Sequence, residues 1–167
     1  RYIGPITAPY RERVVTSAPV QSVSRCGDGV LVEARGEIFT IPGEKGDVRN
    51  LTRSAGSAER DPAWSPDGKS IAYWSDASGE YQLTIESPDG NAKPRVLDVP
   101  NPGHAYNVSW SPDSKKILYM DTNLHLWVAD VASGKAKQVG RDPWMVPART
   151  VFPVWSPDSR YIAYAAH

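Results

Sequence analysis

Peptide or ester hydrolysis needs a nucleophile, a base and a carboxylate that converge on one point. The 167-residue chain has three histidines that could act as the base, His104, His125 and His167. His125 lies in the alternating run Leu124-His125-Leu126, the pattern of a residue on one face of a strand. His104 follows Pro102-Gly103 in a long spacer, where it is exposed and free to touch a ligand, and His167 is the last residue. No Gly-x-Ser-x-Gly elbow presents a serine. No His-Glu-x-x-His pair or calcium loop is present, and Gly43-Glu44-Lys45-Gly46 is not a phosphate-binding loop. These residues predict no catalytic site, no bound cofactor and no metal site in this chain. The single cysteine, Cys26, excludes an internal disulfide and a cysteine metal cluster.

Serine and aspartate do recur at fixed spacing, but as turn residues. Trp64-Ser65-Pro66-Asp67-Gly68 returns as Trp110-Ser111-Pro112-Asp113-Ser114 and as Trp155-Ser156-Pro157-Asp158-Ser159. From Trp64 to Trp110 is 46 positions, and from Trp110 to Trp155 is 45. In such a turn Pro presets its φ, Asp and Ser bond the local backbone, and Gly at the fourth place accepts positive φ. Ser114 and Ser159 stand where Gly68 does, so a left-handed backbone there would cost about 1 kcal/mol. Those two turns are therefore expected to be of a different subtype. Asp67, Asp113 and Asp158 are each assigned to their own turn. Trp64, Trp110 and Trp155 are assigned to the core, where the indole has large apolar surroundings.

The elements around these turns are strands. Fifteen prolines, thirteen glycines and alternating β-branched runs predict an all-β chain. Trp64 ends one strand and Ile71-Ala72-Tyr73-Trp74 lies on the next. A fourth, degenerate copy aligns Val23 with Trp64, Gly27 with Gly68, and Val30-Leu31-Val32 with Ile71-Ala72-Tyr73. In chain order, the degenerate copy and those at Trp64 and Trp110 are each followed by two more strand signals: 37–41 and 48–52, 81–85 and 94–97, 124–128 and 136–139. Four-stranded antiparallel units repeating every 40-odd residues predict a β-propeller segment. The expected layout is a connector and outer strand of a preceding or closing blade at 1–17, which includes a polar edge strand at 11–16. Blade 1 is expected at 18–53, blade 2 at 54–99, blade 3 at 100–140 and a partial blade 4 at 141–167, all in one domain. Three complete blades plus part of a fourth do not close a ring, so a segment of a larger propeller is favoured over a stand-alone four-bladed one.

Charge is balanced, at 19 basic and 19 acidic residues, which points to neither nucleic acid nor an anionic membrane. No apolar run approaches the roughly 20 residues of a membrane helix.

The Trp-Ser-Pro-Asp-Gly repeat resembles the propeller repeat of TolB, the prolyl oligopeptidase group and tricorn protease. Three neighbouring stretches narrow the likeness: Val32 to Pro42, Glu44 to Arg53 and Glu59 to Trp64. Together they resemble the seven-bladed propeller of bacterial tricorn-like serine peptidases of the S41 class. The general repeat likeness spans about residues 20–167, and the degenerate copy departs from it at Arg25 and Cys26. The resemblance implies a multi-domain peptidase in which this propeller filters or guides peptides toward a catalytic domain outside this chain. Partners would be a peptide or protein substrate and the remaining domains of the parent chain, with homo-oligomers also open. The compartment would be cytoplasmic, or periplasmic or secreted if the parent carries a signal peptide. The other reading is a TolB-like propeller that binds a protein partner and belongs to no enzyme.

The longest spacers precede each inner strand and would share one face of the propeller. The candidate peptide-facing residues there are Arg60, Asp61, His104, Tyr106, Asn107 and Arg149.

Overall fold

A computed structural model of the chain describes residues 20–26, 29–43, 46–54, 56–100, 105–141 and 153–164. Every regular element among them is a strand. The first sheet runs β1 (Val20–Cys26), β2 (Gly29–Ala34), β3 (Glu37–Ile41) and β4 (Arg49–Asn50). The second runs β5 (Glu59–Trp64), β6 (Ile71–Ser75), β7 (Gln82–Glu86) and β8 (Arg95–Val96). The third runs β9 (Ala105–Trp110), β10 (Lys116–Asp121), β11 (His125–Asp130) and β12 (Ala136–Arg141), ending one residue past the expected boundary. A two-stranded sheet, β13 (Val154–Trp155) with β14 (Ile162–Ala163), begins a fourth unit. Neighbouring strands within every sheet are antiparallel. The expected strand at 11–16, Gly27 and His167 lie outside the described residues.

The apolar second and third strands bury side chains on both faces, so the core sits between sheets. Leu31, Ile38, Leu51, Ile71 and Tyr73 fill one layer, with Trp64 against it. Ala72, Trp74, Leu83, Leu97, Trp110, Ile117 and Tyr119 fill the next. Trp74 meets Tyr119 edge-on, with ring centroids 5.2 Å apart. Each large apolar side chain removed from water contributes about 2 kcal/mol. The repeated tryptophans also cross between sheets: Trp110 Nε1 donates to the Ala63 carbonyl at 3.0 Å and Trp155 Nε1 to the Ser109 carbonyl at 3.2 Å.

The three Ser-Pro-Asp turns share one geometry, which corrects the expected difference in subtype. Gly68, Ser114 and Ser159 all have left-handed φ, at 71°, 60° and 61°. Each fourth-residue N–H donates to the carbonyl of its turn's first serine, at 2.8–3.0 Å. The carboxylates of Asp67, Asp113 and Asp158 accept from the serine two residues before and the backbone N–H two residues after. The serine hydroxyls above all, and then the backbone N–H groups, hold Asp67 and Asp158 below the usual carboxylate range. What offsets the strain at Ser114 and Ser159 is a bond to the neighbouring blade. The Asp67 N–H donates to Ser114 Oγ at 3.1 Å, and the Asp113 N–H to Ser159 Oγ at 3.0 Å.

Blade 1 departs from the expected alignment. Trp64 pairs with Ile71, and six residues lie between them. The residue paired with Val30, which corresponds to Ile71, is Arg25 rather than Val23. Pairing continues to Cys26 and Gly29, leaving a two-residue connection. The turn is thus two residues shorter, and an arginine occupies the place of the repeated tryptophan.

The fourth strands repeat a second motif. Leu51 N–H donates to the Ile38 carbonyl and Leu97 N–H to the Leu83 carbonyl. The matching partner of Leu126 in blade 3 is Gly140. A Cβ at Gly140 would lie 2.6 Å from the Tyr164 hydroxyl, so blade 4 fills the volume that leucine occupies in the other blades.

Candidate functional site

Both the blade-to-blade crossovers and the second-to-third-strand hairpins sit at the end where inner strands begin. Glu59 N–H donates to the Gly36 carbonyl at 2.7 Å, and Ala58 N–H to Asp76 Oδ1 at 2.6 Å. This end carries the candidate residues.

The inner strands β5 and β9 each contain a bulge. Two residues of β5, Asp61 and Pro62, stand between the Arg60–Trp74 and Ala63–Ala72 pairs, opposite Tyr73 alone. In β9, Asn107 and Val108 stand in the same way opposite Tyr119. The first residue of each bulge is left-handed, with φ of 51° at Asp61 and 60° at Asn107. Asp and Asn tolerate this region better than most residues. Asp61 and Asn107 are therefore equivalent positions on successive inner strands. Bulges re-aim side chains and recur beside functional sites.

Arg60, on the exposed side of this strand, places its guanidinium 5.7 Å from the Tyr81 ring centroid. Such a contact contributes about 0.5–1 kcal/mol at an exposed site. The Asp61 N–H donates across to the buried Glu33 carboxylate of blade 1, at 3.1 Å. Tyr106 lies within β9, and its side chain is outside the described residues, as are His104 and Arg149. The structure thus brings Arg60 and Asp61 together and sets Asn107 one blade on.

Two buried carboxylates at the same end were not singled out in the sequence. Glu59 accepts from three hydroxyls: Ser54 at 2.5 Å, Ser57 at 2.7 Å and Ser75 at 3.2 Å. It clamps the crossover after β4 to the blade below. Asp121 is fully buried at the β10–β11 hairpin. It accepts from the Asn123 and His125 N–H groups, and from Trp127 Nε1 at 2.8 Å, and its Oδ2 lies 2.9 Å from His125 Nδ1. Burial alone would raise the Asp121 carboxyl, but bonds from Trp127, His125 and Asn123 outweigh it and hold the group below its ordinary range. His125 is a half-buried strand residue, as its alternation predicts. No hydroxyl among the described residues is hydrogen-bonded to its ring. The pair acts as a hairpin brace. Among the described residues, no three His, Cys, Asp or Glu side chains gather as metal ligands.

A third buried acid lies on β7. Glu86 accepts from the Tyr73 hydroxyl at 2.8 Å. Burial, first, and the nearby Glu59 charge push the Glu86 carboxyl up, against the Tyr73 bond. Burial and the Glu86 charge push the Tyr73 phenol up in turn.

No protein-family profile matches the chain. A putative tricorn-like protease C-terminal subunit from Sulfurisphaera tokodaii is 25% identical over 131 residues, which are 78% of this chain and 14% of that protein. The chain spans less than a fifth of the length of each curated relative it matches. Among solved structures, a putative TolB from Agrobacterium tumefaciens superposes with a TM-score of 0.69 at 21% identity, covering 89% of this chain and 54% of that one. The tricorn protease superposes with a TM-score of 0.72 at 17% identity, covering 88% of this chain and 14% of that one. With its three four-stranded meanders and the start of a fourth, the chain is a segment of a TolB/tricorn-like β-propeller.

Proposed function

We propose that this segment is a non-catalytic part of a tricorn-like serine peptidase and helps to guide or filter peptides toward a catalytic domain that lies elsewhere. The observation that carries this reading is the Arg60–Tyr81 pair beside the Asp61 bulge, a bulge that recurs one blade on at Asn107. It offers a cation, an aromatic face and bent backbone on an inner strand. That combination suits an extended peptide, whose main-chain groups and carboxylates can be met without reading a particular sequence. The tricorn-like relative named above supports the peptidase context.

The test is substitution of Arg60 and Tyr106 by alanine in the full-length protein, with cleavage of long and very short peptides compared. A change in length selectivity with the short-peptide rate retained is expected. Unchanged selectivity would overturn the reading. The 167-residue chain by itself is expected to hydrolyse no peptide.

A second reading, a TolB-like module that binds a folded partner with no enzyme attached, draws on the superposition with the putative TolB. Pull-down of a folded partner by a parent protein that cleaves no peptide would favour it.

A further inference from the structure

The three junctions between blades are not tied in the same places. Between blades 2 and 3, Trp110 Nε1 donates to the Ala63 carbonyl and the Asp67 N–H to Ser114 Oγ, both toward the end that carries the Ser-Pro-Asp turns. Between blades 3 and 4, Trp155 and Asp113 repeat both bonds with Ser109 and Ser159. Between blades 1 and 2 neither forms among the described residues. Gly68 stands where Ser114 and Ser159 carry the accepting hydroxyl. Trp64 Nε1 is buried and has no acceptor.

The blade 1–blade 2 junction is tied at its opposite end instead. Glu59 N–H donates to the Gly36 carbonyl at 2.7 Å, and the Asp61 N–H to the Glu33 carboxylate at 3.1 Å. At the turn end an exposed bond runs from Arg49 Nη1 to the Asp89 carbonyl. The packed layer also changes character there. Trp64, Ile71 and Glu86 form one cross-strand row. Ile71 packs with Leu31, Ile38 and Leu51 of blade 1, and Trp64 lies against them. Cross-strand partners share a face, so Glu86, 6% exposed, is buried in this layer. The matching row between blades 2 and 3 is Trp110, Ile117 and Ala129, which is wholly apolar.

We propose that the blade 1–blade 2 junction is a built-in seam, hinged at the crossover end by the Gly36 and Glu33 bonds, that opens at the turn end when Glu86 ionises. Closed, the seam keeps a carboxyl group and an unmet indole N–H from water, and opening hydrates both. The titratable groups around Glu86 within its own blade are Tyr73 on β6, whose hydroxyl donates to it at 2.8 Å, and Glu59 on β5, whose charge repels it. From blade 1, β2 brings Glu33, bonded to Asp61, and β4 brings Arg49, engaged with the Asp89 carbonyl. The third strand of blade 1 meets the seam through Ile38. Burial, first, and the Glu59 charge push the Glu86 carboxyl up, so its protonated form favours the closed seam. That preference is present at acid pH and is lost as pH rises through the closed-state value.

The test reads hydrogen exchange at the indole and backbone N–H groups of the 167-residue chain across low urea concentrations. Protection is taken against the exchange rate of a free indole or amide at the same pH. Protection of Trp64 Nε1 is expected to lie about tenfold or more below that of Trp110 Nε1, and to fall with urea on a slope smaller than that of global unfolding. The Asp61 N–H, at the hinge, is expected to stay protected while Trp64 exchanges. Between about pH 5 and about pH 7, Trp64 protection should drop about threefold or more relative to Trp110, and E86Q should remove that drop. Equal protection of the two indoles would overturn the proposal. So would Trp64 exchange that ignores urea, because water would then reach the indole without the blades parting. Asp61 exchanging in step with Trp64 would overturn the hinge, and a pH-dependent drop that persists in E86Q would overturn Glu86 as the trigger.

Discussion

The backbone N–H of Asp67 is hydrogen-bonded to the hydroxyl of Ser114, 47 residues away and in the next blade. The bond joins two turns that are each complete without it. Its acceptor sits at a left-handed position where glycine would be easier. Ser114 therefore trades local backbone strain for a tie between blades.

Substitutions at Ser114 separate these two effects. S114A removes the hydroxyl and keeps the strain, and should destabilise the chain by about 1 kcal/mol. S114G removes the hydroxyl and relieves the strain, so its cost should be smaller by roughly 1 kcal/mol. Urea unfolding of the two variants measures this. S114A as stable as the parent chain would show that the inter-blade bond contributes nothing.

Glu86 gives the chain a pH dependence of definite sign. Its folded carboxyl titrates above the ordinary value of 4.5. Its protonated form thus favours the folded state, and that contribution is present below the ordinary value and lost as pH rises through the folded one. E86Q should remove this loss. Between about pH 4 and pH 7 the urea midpoint of the parent chain should drop relative to that of E86Q. Parallel midpoints would show that Glu86 titrates normally.

The turn aspartates act in the opposite direction. Asp67, Asp113 and Asp158 all titrate below the ordinary 3.8. Their contribution is present above that value and is lost as pH falls through the folded one. Replacing all three by asparagine should flatten the acid limb of the stability curve and leave the neutral limb's shape unchanged. The same series of urea midpoints, extended to lower pH, reads it.

Asp121 should be among the costliest single sites. D121A strands the Trp127 indole N–H and two backbone N–H groups around a buried hole. A loss of about 3 kcal/mol or more is expected, from unmet donors and the cavity together. H125A removes one of the carboxylate's partners from a half-exposed place and should cost about 1 kcal/mol. Thermal unfolding ranks the two, and equal effects would contradict the assignment of Asp121 as the centre of the brace.

Local chemistry made the repeats readable. Trp-Ser-Pro-Asp specifies its own turn through Pro66 and Asp67, so three of the four units announce themselves, and the strand pairs after each turn follow from alternation. The register of blade 1 lies two residues from the one its sequence suggests. Val23 is apolar and Arg25 is not, and nothing local shows that the hairpin closes between Cys26 and Gly29. The candidate site was legible in part. Asp61 and Asn107 stood out by position, but their equivalence is a property of bulges, which only strand pairing reveals. Tyr81 lies 21 residues from Arg60, and the partners of Glu59 are spread from Ser54 to Ser75. Asp121 and His125 are only four residues apart, so their pairing could have been read once the hairpin between them was recognised.

Gly140 marks a difference between otherwise matching junctions. Tyr73, Tyr119 and Tyr164 occupy one position in three blades, and Leu51 and Leu97 stand in blades 1 and 2 where Gly140 stands in blade 3. A Cβ at Gly140 would lie 2.6 Å from the Tyr164 hydroxyl, so a side chain there would require the tyrosine to shift. At the two earlier junctions the equivalent tyrosine and leucine share one core layer, Tyr73 with Leu51 and Tyr119 with Leu97. The missing side chain leaves room there for the Tyr164 hydroxyl, so one tyrosine position serves two kinds of junction.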